Sequence, residues 1–184
     1  MRNILKNRTA LSTVVTTLII LVVSVLLAGV VTYFAINITS TRVQEEALNL
    51  TNQHVWHNTV VAQAALVITN TGGRDVVIAH LAVRGQNSPW SNVFYNITST
   101  PPTTDLVFNS TIAAATATVP GGYGTEFTYN LATTNIVLPS GQTLLIYINK
   151  PDSIAVNDIG LTVAISVFSA QAIYYKETNI QAAV

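Results

Sequence analysis

The chain contains no cysteine. A disulfide scaffold, a thiolate metal site and a cysteine nucleophile are therefore excluded. Methionine occurs only at Met1. Charge is scarce as well. Asp, Glu, Lys and Arg make up 9% of the 184 residues, where an average soluble domain carries about 25%. Acidic and basic residues balance at 8 each, so the net charge is zero. Beyond Thr51 the basic residues are Arg74, Arg84, Lys150 and Lys176 alone. Without a basic run, phosphate neutralisation has nothing to work with, and nucleic acid is not an expected partner. The sequence also lacks a nucleophile elbow, a phosphate loop and a paired-carboxylate motif. It is read as non-enzymatic, with no catalytic residue, no cofactor and no metal site.

What the chain has in abundance is apolar sequence. Residues 9–41, "TALSTVVTTLIILVVSVLLAGVVTYFAINITST", carry no charge. As a helix this segment would extend ~50 Å, whereas a bilayer core of ~30 Å needs only about 20 residues. A secretory signal has an apolar region of roughly 7–15 residues followed by a small-residue cleavage site. Here the apolar run continues past Ala28 through Val30, Val31, Tyr33, Phe34 and Ile36, which suits an ordinary signal poorly. Arg2, Lys6 and Arg8 precede the segment, and Arg42, Glu45 and Glu46 follow it. The positive-inside rule then puts the N-terminus in the cytoplasm and the rest outside, in a membrane stage.

Small residues are patterned along the segment. Ser12, Thr16, Ser24, Ala28 and Thr32 fall on one i+4 series, interrupted by Ile20, and Gly29 lies beside it. Small residues four apart let helix backbones approach closely. The series is equally what any membrane helix with some Ser and Thr would show. "RVQEEALNLTN", Arg42 to Asn52, carries good helix formers with Val43, Ala47, Leu48 and Leu50 on a helical period, so the helix is expected to continue to Asn52.

Beyond residue 52 the period changes to alternation. Ala64, Leu66 and Ile68 mark one strand, "NTGGRD" a turn, and Val77, Ala79, Leu81 and Val83 a second, which reads as a hairpin. "TLLIYIN" alternates at Leu144, Ile146 and Ile148 after a "PSGQ" turn, and Leu161, Val163, Ile165 and Val167 alternate later. "QAIYYKETNI" completes a set of short strands that predicts a β-sandwich. Residues 87–134, rich in Thr, Ala and Gly, fit no strand order and are expected to form surface loops.

"KNRTALSTVVTTLIILVVSVLLAGVV" resembles the N-terminus of archaeal type IV pilins and the related archaellins. The order of strand, "NTGG" turn and strand, with "LPSGQT" later, is similar to their outer domains. The resemblance implies an α+β fold: a long hydrophobic N-terminal helix followed by an immunoglobulin-like antiparallel β-sandwich. It implies a basic leader over residues 1–10, removed by a prepilin peptidase between Ala10 and Leu11, then the helix over 11–52 and the outer domain over 53–184. It further implies that copies of the chain leave the membrane, with the pilus assembly machinery, and pack their helices in an extracellular filament used in adhesion or surface contact. The position where bacterial relatives carry Glu, the fifth after the expected cut, is Val15 here. Two other readings stand beside this one: an archaellin for swimming, and a monomeric anchored binding module.

Sequons occur at Asn37, Asn49, Asn96 and Asn109, with Asn7 in the leader, and outward translocation favours Asn96 and Asn109 as glycan acceptors. His54 and His57, near the helix–strand junction, would form a metal pair only on a helix with a third ligand, and junction packing beside Trp56 is the competing reading. His80 reads as structural, and Asp152 and Asp158 lack the spacing of a calcium loop. Tyr33, Tyr174 and Tyr175 are scattered and read as packing.

Overall fold

A computed structural model describes residues 8–109, 112, 116–120 and 126–183. The class is α+β: one long apolar helix, then a mostly antiparallel, curled sheet. The chain divides into two units, residues 1–43 and 44–184.

In the first unit, α1 spans Arg8–Gln44. Its sequence is apolar on every side, so it has no polar face to mark an outside. Leu18, Ile19, Ile20, Leu21, Val22 and Val23 are consecutive and all exposed. Six consecutive residues pass right round a helix of 3.6 residues per turn.

The expected extension of the helix to Asn52 is wrong. α1 stops at Gln44, and β1 runs Leu48–His57. The cause lies in the second unit. The "NTGG" turn donates backbone hydrogen bonds from Thr71 and Gly72 to Ala47 O, at 2.9 and 3.1 Å, and from Gly73 to Glu45 O at 3.3 Å. These bonds take the carbonyls that a continuing helix would use. Leu48 and Leu50 then alternate with exposed Asn49 and Thr51, and both leucines are buried in the core. Burial of two leucines, about 1.5–3 kcal/mol each, outweighs helix propensities of a few tenths per residue.

The other strands are β2 (Ala62–Asn70), β3 (Val76–Val83), β4 (Gln86–Ser88), β5 (Val93–Thr98), β6 (Thr116–Pro120), β7 (Glu126–Leu131), β8 (Ile136–Leu138), β9 (Thr143–Asn149), β10 (Thr162–Ser169) and β11 (Ile173–Ala182). They form one sheet in the order β4-β3-β10-β11-β1-β2-β9-β5-β7-β6, with β8 also paired to β3. The two halves meet where the end of β11 runs parallel to β1, Val55 opposite Ile180.

The expected β2–β3 hairpin does not form. β2 pairs with β1 and β9, and β3 with β10, β4 and β8. The "NTGGRD" turn carries the chain from one half of the sheet to the other. β2 is buried on both faces, which a two-stranded hairpin arm would not be. Its Ala64, Leu66 and Ile68 join Leu144, Ile146 and Ile148 of β9 and Val163, Ile165 and Val167 of β10 in one cluster. Since β10 is not a neighbour of β2 or β9 in the sheet, this shared cluster shows how far the sheet curls. β3 changes phase along its length. Val76 and Ile78 are buried and Val77 is exposed, while Leu81 and Val83 are buried further on. An irregularity in its pairing with β10 skips Ala79, between Ile78 opposite Ser169 and His80 opposite Phe168. One unpaired residue reverses which face each later side chain occupies.

The other face of β2 and β9 carries a second cluster: Ala65, Val67, Leu145 and Tyr147, with Trp56, Phe94, Phe127 and Tyr129. Leu106 and Ile112 cover it. They come from the stretch expected to be loops. That stretch also supplies β5, β6 and β7.

Candidate assembly surface and modification sites

Exposed hydroxyls on an apolar helix raise an accounting question, because an unpaired hydroxyl out of water is costly. Here six of them turn back on their own helix. Thr16 Oγ1 donates to Ser12 O at 2.9 Å, Ser24 Oγ to Ile20 O at 2.6 Å and Thr32 Oγ1 to Ala28 O at 2.8 Å. Thr17, Thr39 and Thr41 do the same to Val14, Ala35 and Asn37. At Thr16, Ser24 and Thr32 the i+4 series therefore presents satisfied hydroxyls rather than open donors. Gly29 completes the stripe, and an added Cβ there would meet nothing within 4 Å. The stripe is chemically ready for an apolar neighbour. Leu11–Thr41 is long and apolar enough to cross a membrane.

The expected cleavage bond, Ala10 to Leu11, lies in the first turns of α1, and Leu11 is exposed. Residues 1–7 of the expected leader, with Asn7, fall outside the described residues.

The four sequons sit in different surroundings. Asn37 is exposed on α1. Asn49 is exposed on β1, with exposed Thr51 two residues on. Asn96 is half-buried on β5, and its Nδ2, the atom a glycan would take, donates to Thr128 O at 2.8 Å. Asn109 is half-buried, and its backbone is held by Gln63 on both sides: Gln63 Nε2 donates to Asn109 O at 3.0 Å, and Asn109 N donates to Gln63 Oε1 at 2.9 Å.

The histidines are placed by the strands. β1 puts His54 and His57 on opposite faces, since alternate residues of a strand point opposite ways. His54 stacks on Trp56, ring centres 5.0 Å apart, and its Nε2 lies 2.8 Å from Asp105 Oδ1. His57 is buried. His80 stacks on Phe168 at 4.0 Å. Asp158 caps a short turn: its carboxylate accepts from Ala155 N at 2.8 Å and lies 3.0 Å from Arg84. The Ala155 bond, aided by Arg84, holds its carboxyl below the usual range. Tyr33 packs edge-on against Phe34, and Tyr174 donates to Glu46 O at 3.3 Å. Burial, with a smaller contribution from Glu46, raises the Tyr174 phenol.

A feature that the sequence reading missed is the strap formed by residues 101–109 and 112. It is fastened by polar side chains of the sheet beneath. Tyr147 OH donates to Val107 O at 3.0 Å. Gln63, almost fully buried, holds Asn109 and also donates to Asn149 Oδ1 at 2.7 Å, while Asn149 bonds Ile112 O. The only sequence signal was Gln63 itself, one polar residue in the apolar run "VVAQAALVI".

Set beside known proteins, the chain matches no family model and no curated protein. The functional reading therefore rests on the chemistry above.

Proposed function

We propose that the chain is the structural subunit of an extracellular filament of the archaeal type IV pilus kind. One observation carries the reading. α1 is apolar right round, and the stripe hydroxyls of Thr16, Ser24 and Thr32 are satisfied internally. Such a helix needs an apolar surrounding along its length, which lipid supplies before assembly and other copies supply after it. At Leu11–Thr41 it is about 46 Å long, well beyond a ~30 Å bilayer core. That excess favours a filament core over a simple anchor. In this reading the leader is removed between Ala10 and Leu11, and the β unit, taken as an immunoglobulin-like sandwich, forms the outer wall. Of the sequons in the β unit, Asn49 best suits a glycan, since its side chain is exposed and makes no hydrogen bond among the described residues.

Negative-stain microscopy of sheared cell-surface material, with this chain identified by antibody labelling, tests the proposal. Labelled filaments are expected. Recovery of the chain only in detergent-extracted membranes would overturn it. That result would favour the second reading, a monomeric anchored module, whose one supporting observation is that α1 can span a bilayer.

A further inference from the structure

The sheet and the strap border an open recess of ≈ 480 Å³, lined by Asn52, Gln53, His54, Pro102, Thr103, Thr104 and Asp105. Its origin is local. The pairing of β1 with β2 skips Asn52 and Gln53, between Thr51 opposite Val67 and His54 opposite Ala65. Asn52 takes a left-handed backbone, φ 50°, a conformation asparagine tolerates better than most residues. The bulge releases both amides from the regular pleat, and both are half-buried. Neither side chain has a hydrogen-bond partner among the described residues.

The far wall is fixed by different means. Asp105 Oδ1 accepts from Leu106 N at 2.9 Å and faces His54 Nε2 at 2.8 Å. The imidazole is clamped by its stack on Trp56, and its Nδ1 is buried without a partner among the described residues. The fastening of the strap at Val107 and Asn109 keeps Thr103, Thr104 and Asp105 opposite the bulge. The recess is therefore preformed.

We infer that this recess binds a neutral saccharide. The wall offers two amides, two hydroxyls, one carboxylate and one imidazole, so donors and acceptors are mixed and no charge of one sign dominates. An anion would meet Asp105, and a divalent cation would find a single carboxylate where hard cations take six or more oxygens. Vicinal hydroxyls both donate and accept, as an amide does, and they match unused amides set in a rigid frame. The site goes beyond the filament reading and does not require polymerisation.

The test uses the full chain in detergent micelles on an array of neutral oligosaccharides of glucose, galactose, mannose and N-acetylglucosamine. The best ligand is then titrated calorimetrically. At least one oligosaccharide is expected to bind, with affinity unchanged by EDTA. Gln53→Ala and Asp105→Asn should each weaken it at least about tenfold, the scale of one good hydrogen bond to a polar ligand. Tyr175→Ala, on β11 away from the recess, should leave it unaltered. The melting temperature of each variant shows whether it is folded, and either folded variant suffices. No retained oligosaccharide, equal binding by both folded variants, or binding that requires added calcium would each sink the inference.

Discussion

Gly72 shows how one residue can decide an element boundary. A Cβ there would lie 2.5 Å from Glu45 O and 2.8 Å from Ala47 N, both backbone atoms with nowhere to go. Gly72→Ala should therefore destabilise the β unit by about 2 kcal/mol or more, read as a drop in its thermal midpoint. Beside it, Asn70 is fully buried and fully used: its Nδ2 donates to Arg74 O and Leu138 O, and its Oδ1 accepts from Gly72 N. Tyr129 and Tyr147 pack edge to face at 5.2 Å, and burial pushes both phenols well above their ordinary range. A raised folded pKa means that stability is fully present below the unfolded value, about 10, and is lost as pH rises beyond it. Alkaline titration followed at 295 nm should show these two phenols ionising only with unfolding. Their early, reversible ionisation in the folded chain would contradict the burial.

At the scale of elements, the filament proposal can be tested on α1 separately from membrane insertion. At Gly29 an added Cβ meets nothing within 4 Å, so Gly29→Leu starts into open space. Its effect on a filament comes only through neighbours. The variant should insert into membranes at the normal level and yield few or no filaments, by fractionation and microscopy together. Unaltered filament yield would place the packing face elsewhere on α1. The helix was the most legible element, because a charge-free run of this length has few other fates. Its end was not. Val43, Ala47, Leu48 and Leu50 fit both a helical period and the start of a strand, and the deciding carbonyl bonds come from Thr71, Gly72 and Gly73, more than twenty residues later. Strand positions in β9 and β10 were legible from their alternation. The partner of β2 was not, since "NTGG" suits a hairpin turn and a crossing between sheet halves equally well. The recess was invisible for a similar reason: it joins β1 to residues some fifty positions further on, His54 with Asp105.

For the molecule as a whole, burial predicts where the β unit is most resistant to opening. β2 and β9 are buried on both faces and lie between the two clusters, while β11 is largely exposed. Backbone hydrogen exchange should be slowest in Leu66–Ile68 and Leu144–Ile148. Faster exchange there than in Tyr174–Thr178 would refute this view of the core. The strap should open earlier, because its hold depends on a few polar bonds. Tyr147→Phe removes the bond to Val107 O. It should cost about 1 kcal/mol and raise exchange in residues 106–108 first.

The parallel run of β1 beside β11 has a mechanical meaning. Suppose a subunit is pulled between α1 and the chain's far end. The load enters at the start of β1 and leaves at the end of β11. Two parallel strands tugged from opposite ends slide along each other, so their bonds must fail together rather than open one by one. Ahead of them stands the grip of the "NTGG" turn on Glu45 and Ala47. The arrangement Val55–His57 against Ile180–Ala182 is short, yet it sits where a stretched fibre would need a latch.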